Sequence, residues 1–174
     1  ISVIAEEVSE LGIYADLSRF CERAKKLGAL AAKIIEPKTV VTAEWVRLKC
    51  QYGCGGYGER LTCPPYSPTP ETTRKVLDSF QYGILIHSKD SHKVKRVVEK
   101  LEREIFLAGY YKALGMGSGP CDLCAECDVK DSCKHPERAR PSLEACGIDV
   151  YATARKHGFE IYVVKSYDEP ANYY

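Results

Sequence analysis

The sequence predicts an α+β (or α/β) fold: a single compact domain over residues 1–174, with a small mixed sheet, helices and cysteine-rich metal-binding loops. Three observations carry this prediction. Stretches with helical spacing alternate with short apolar runs of strand length. The chain has 174 residues, of which 45% are hydrophobic, enough for one core without covalent staples. Two loops, 50–65 and 119–136, hold seven of the nine cysteines.

Along the chain, "ADLSRFCERAKKLG" reads as a helix. Leu17, Phe20, Cys21, Ala24 and Leu27 recur at helical spacing, and Gly28 is a natural stop. Cys21 on that stripe reads as a buried core residue. "AAKIIEP" is a short strand closed by Pro37, and "TVVTAEWVRLKC" is expected to be extended. "TPETTRKVLDSF" starts a helix, with Thr69 as cap and Pro70 at the first helical position. "YGILIHS" follows as a buried strand. The longest helix is "SHKVKRVVEKLEREIFLAGYYKAL", where Val94, Val97, Val98, Leu101, Ile105 and Ala108 form one stripe. Its basic first turns read as a solvated face. The glycine-broken "LGMGSGP" leads into the second cysteine loop. "PSLEACG" is a short helix, Asp149 caps "VYATARKHG", and "FEIYVVKS" is a strand. Three or four strands are expected in all.

With 25 basic and 24 acidic residues, the charge argues for neither a nucleic-acid nor a membrane partner. No run reaches the roughly 20 apolar residues of a membrane span. The opening "ISVIAEEVSE" puts acids where a secretory leader carries bases, so a cytoplasmic location is expected. A reducing compartment favours metal over disulfides for clustered cysteines. There is no glycine fingerprint for a dinucleotide, no P-loop and no nucleophile elbow. Twelve tyrosines suit a core as well as a subunit interface and define no oligomeric state.

The run "GPCDLCAECDVKDSCKHP" places Cys121, Cys124, Cys127 and Cys133 in a C-x2-C-x2-C-x5-C pattern. Three thiols spaced by two residues supply three corners of a [4Fe–4S] cubane from one loop, as in bacterial ferredoxins. The fourth gap is five residues rather than three, so Cys133 either closes this centre or reaches another. Zinc is the competing metal, since four cysteines make a closed tetrahedral site. The second set is Cys50, Cys54 and Cys63, followed by Pro64 and Pro65. Its fourth ligand stays open among Cys146, Cys133 and an exogenous molecule, and Cys146 reads equally as a core residue. Arg138, Arg140 and Ser142 are candidates for hydrogen bonds to cluster sulfurs, against an equal reading as surface polar groups. His135 reads as a surface group.

The blocks "VRLKCQYGCGGYGERLTCPPYSPTPE" and "AGYYKALGMGSGPCDLCAECDVKDSCKHPERARPSLEACGIDV", with the ending "DEPANYY", resemble the predicted metal-binding proteins called domain of unknown function 2284. The likeness runs from about Trp45 to Tyr174. It implies a cytoplasmic protein of anaerobic bacteria or archaea, with Cys50, Cys54, Cys63, Cys121, Cys124, Cys127 and Cys133 as ligands and no defined reaction.

The expected function is an iron–sulfur protein with one or two [4Fe–4S] centres, acting in electron transfer or redox chemistry with a partner protein. The alternatives are a zinc-stabilised adaptor without redox activity, and an enzyme using an open iron at the three-cysteine loop. In the last case Arg60 and Tyr57 are the groups expected around the cavity.

Overall fold

A computed structural model describes residues 10–166 and 168–174. Helix α1 (Glu10–Lys26) leads into strand β1 (Ala31–Ile35), which pairs antiparallel with β2 (Gly83–His87) in a two-stranded sheet. The register sets Ala31 against His87 and Ile35 against Gly83. Between the strands lie α2 (Glu44–Gly53) and α3 (Pro70–Leu77), and α4 (Ser91–Leu107) follows β2. A short 3-10 turn (Pro37–Thr39) follows β1, and a second 3-10 turn (Glu144–Cys146) and α5 (Val150–Lys156) complete the described elements. The sheet is antiparallel and no parallel crossover between strands is made among the described residues, so the fold is α+β.

Alternation along β2 explains the layering, because successive side chains leave opposite faces of a strand. Ile84 and Ile86 join Phe20, Ala24, Val94, Val97, Val98 and Leu101 under α1 and α4. Leu85 turns the other way and packs with Ile35, Ile148, Val150, Ala154, Ile161 and Tyr174. Both faces of a two-stranded sheet are thereby covered. Arg23 of α1 also clasps Glu104 of α4 through bonds of 2.7–3.1 Å, and Tyr110 Oη donates to Asp16 at 2.9 Å.

The cap expectations at α3 and α5 agree with the structure. Thr69 Oγ1 accepts from the Thr72 amide and Asp149 Oδ1 from the Ala152 amide. Two expectations are corrected. "TVVTAEWVRLKC" is extended only over residues 40–43, where Thr42 bridges Ile148; Thr39 ends a 3-10 turn, and the chain is helical from Glu44. The β-branched Val40, Val41 and Thr42 occupy the extended part, and the helix-forming Glu44, Arg47, Leu48 and Lys49 lie in the helix.

"FEIYVVKS" is not a strand, and only two strands form among the described residues. Ile161 is buried, but the carbonyls of this segment are taken by side chains. Tyr174 donates to Glu160, Arg155 to Ile161 and Tyr151 to Tyr162. The place beside the end of β2 goes to the C-terminal tail, where Ser88 and Tyr173 exchange backbone bonds of 2.8 and 2.9 Å. β-propensity marks what a segment tolerates, and an occupied edge leaves it no ladder. The opening residues 1–9, on which the leader expectation rests, lie outside the described residues.

Gly147 and Gly158 separate two effects of glycine. Both sit in the left-handed region, at φ +75° and +80°. A Cβ on Gly158 meets open space, whereas one on Gly147 would lie 2.2 Å from Pro70 Cγ. Gly158→Ala is therefore expected to cost about 1–2 kcal/mol of backbone strain. Gly147→Ala adds overpacking of about 1–3 kcal/mol on top of that. Urea unfolding midpoints of the two variants check this. Equal midpoints would show that Pro70 moves aside freely.

Candidate metal centres

The second cysteine loop is positioned by α4. Lys95, Glu99 and Glu102 stand at spacings of four and three residues, so they share one helix face. Lys95 Nζ donates to the Pro120 carbonyl at 2.6 Å and to Asp122 at 2.9 Å, with His92 Nδ1 on the same carboxylate at 2.6 Å. Arg138 pairs with Glu99 at 2.8 Å. Arg140 grips Glu102 through two bonds of 2.6 and 2.8 Å, and Glu102 also accepts from the Gly115 amide at 2.6 Å. The chain before and after the cysteines is thus fixed to one helix. Arg138 and Arg140 serve as its anchors, and Ser142 Oγ accepts from the Ala145 amide. The polar groups of all three have protein partners, and Arg138 and Arg140 also line one recess with Cys121.

Cys121, Cys124, Cys127 and Cys133 line one small recess, closed on one side by Arg60, Leu61 and Thr62 from the first cysteine loop. Each contact there suits an electron-rich sulfur. The Leu61 amide donates to Cys127 Sγ at 3.5 Å, and the His135 amide to Cys133 Sγ at 3.4 Å. Thr62 Oγ1 is buried beside the Cys63 thiol, where its hydroxyl favours the thiolate and offsets part of the rise that burial causes there.

The first loop is held by Arg47 of α2. Its guanidinium donates to the carbonyls of Pro68 at 2.8 Å, Ser67 at 3.1 Å and Ala145 at 3.2 Å. Ser67 Oγ adds a 2.6 Å bond to Ala145 O, and Thr73 Oγ1 a 2.7 Å bond to Cys146 O. Cys54 ends up exposed, Cys50 half-buried and Cys63 buried. Cys54 and Cys63 share the space around Gly56, where a Cβ would lie 3.6 and 3.9 Å from their sulfurs. The Gly56 amide donates to Cys54 Sγ at 3.4 Å. Burial raises the thiol pKa of Cys50 and of Cys63, and Cys121 is near enough to add to the rise at Cys63. The two sets of thiols are neighbours.

Cys146 is wholly buried on the 3-10 turn beneath α2, and lines neither thiol recess. Desolvation pushes its pKa up to about 12. Cys21 is buried as expected. Arg60 lines the recess of the second loop rather than a cavity at the first, and Tyr57 lines neither. Sequence reasoning missed Arg47, Leu61 and the Lys95–Glu99–Glu102 row. The only signal for the row was its helical spacing.

Among the described residues, no three His, Cys, Asp or Glu side chains are gathered tightly enough to hold a single metal ion. The donors are soft thiolates in a recess that supplies backbone N–H groups, a set that suits an iron–sulfur cluster as well as zinc.

The family model described as "Predicted metal-binding protein (DUF2284)" matches residues 33–174. No curated protein and no solved structure matches the chain. Among the described residues, no helix is long and apolar enough to cross a membrane.

Thiolate is the reactive form of cysteine, so exposure and pKa rank the thiols. A pKa of about 12 leaves Cys146 with a thiolate fraction on the order of one in ten thousand at pH 8. Iodoacetamide labelling of metal-free protein at pH 8, read by peptide mass, is expected to modify Cys54 first and to spare Cys146 until the chain unfolds. Comparable rates at the two would contradict the burial of Cys146.

Proposed function

The chain belongs to the family of predicted metal-binding proteins designated domain of unknown function 2284, and on that premise we propose that it is an iron–sulfur redox protein. One [4Fe–4S] centre is assigned to Cys121, Cys124, Cys127 and Cys133, and a second to Cys50, Cys54 and Cys63. The observation that carries this reading is the shared recess of four cysteines, with the Leu61 amide donating to Cys127 and the His135 amide to Cys133. Such a centre supplies one-electron transfer, at a potential set by its hydrogen bonds and solvent exposure.

The chain's own residues fill the rest of the role. Arg60, Leu61 and Thr62 exclude water from one side of the second loop. The turn they form, closed by the Cys63 amide to the Arg60 carbonyl at 2.9 Å, continues directly into Cys63. It therefore joins the two sets of thiols through a short covalent path and one hydrogen bond. That proximity supports electron passage between the centres and on to a partner enzyme, with exposed Cys54 marking the outward side.

Leu61 occupies the second position of that turn, where proline is readily accommodated. Leu61→Pro removes the amide donor to Cys127, and Leu61→Ala keeps it. Redox titration followed by EPR is expected to show a lower potential for the second-loop centre in Leu61→Pro alone, because a lost N–H···S bond destabilises the reduced state. Cys124→Ala and Cys54→Ala are each expected to lose about half of the iron and one of two EPR signals. Iron and signal unchanged in either variant would remove that loop from the proposal.

A further inference from the structure

Cys50 and Cys54 open onto a recess of about 240 Å³ that the redox reading leaves unused. Its floor is apolar, made of Val46, Ile148 and Val150, all buried. Its walls are the half-exposed rings of Trp45 and Tyr151. The charged groups at its edge are Lys49, Glu144 and Asp149, and the Lys49 ammonium already lies over the Trp45 ring, 5.4 Å from its centroid. Asp149 is engaged with the Ala152 amide at 2.9 Å. No thiol besides Cys50 and Cys54 lines the recess: Cys146 is in the core and Cys133 faces the other recess.

This inference rests on the three-thiol centre proposed above. A centre held by three soft thiolates selects a soft fourth donor over an oxygen donor. An apolar floor between two aromatic walls selects an apolar body, as ligand recesses generally do. We propose that this recess binds a small apolar thiol, whose sulfur completes the donor set begun by Cys50, Cys54 and Cys63 and whose body lies between Trp45 and Tyr151. The thiol binds as its thiolate and gives its proton to solvent.

The test uses the full chain purified without oxygen, with iron and sulfide determined on the same sample. Butane-1-thiol, butan-1-ol and butanoate serve as probes of equal chain length. Two readouts follow the titrations: the EPR spectrum, and the fluorescence of Trp45, the single tryptophan of the chain. Butane-1-thiol is expected to change both readouts saturably, and to bind at least tenfold more tightly than the alcohol or the carboxylate. Tyr151→Ala and Trp45→Ala are expected to weaken thiol binding about tenfold by EPR, at unchanged iron content. Equal response to the three probes, or thiol binding indifferent to both variants, would overturn the inference while leaving the redox reading intact. Protein that carries iron at the second loop alone would overturn the three-thiol centre and this inference with it.

Discussion

The grip of Arg140 on Glu102 is the contact on which the second cysteine loop depends. Both side chains are largely buried, at 22% and 15% exposure, and two bonds of 2.6 and 2.8 Å make a fork that lysine could not reproduce. Glu102 also takes the Gly115 amide, so one carboxylate fixes the chain before and after the cysteines. Loss of either partner would leave a buried charge unpaired, which is far costlier than loss of a surface pair. Arg138–Glu99 and Lys95–Asp122 extend the grip along the same helix face, in more exposed positions. A loop with no regular structure over residues 119–139 is held by polar contacts instead of a core of its own.

The first loop follows the same logic with different parts. Arg47 satisfies carbonyls of residues 67, 68 and 145, and so joins α2, the proline-rich segment and the 3-10 turn. Buried backbone carbonyls need partners, and a guanidinium with five donors supplies several from one side chain. The result is that Cys50 and Cys54 come from a helix end and Cys63 from a turn whose residues 60–62 line the other cysteine recess. Two loops distant in sequence thereby become adjacent, with Leu61 donating to Cys127 across 66 positions.

Much of the fold was legible because it depends on local chemistry. The stripe of α4, the Thr69 and Asp149 caps and the two apolar strands are short-range patterns, and the structure agrees with each. What failed depended on partners. "FEIYVVKS" has strand composition, yet its carbonyls are claimed by Tyr151, Arg155 and Tyr174 while Tyr173 sits beside the end of β2. The arginines after the cysteines were readable as charges near a loop, but their partners lie 38 and 39 residues away on a helix. The spacing of the cysteines was plain in the sequence. Their enclosure by residues 60–62 was not, because no local pattern announces a contact between two loops.

The central claim is that these loops hold iron–sulfur clusters rather than single metal ions. Iron, acid-labile sulfide and zinc per chain, measured on protein purified without oxygen alongside its visible absorption spectrum, test it most directly. About eight irons and eight sulfides, with broad visible absorption and negligible zinc, are predicted from two cubanes of four irons each. A colourless protein with stoichiometric zinc and no sulfide would contradict the account and make the loops structural.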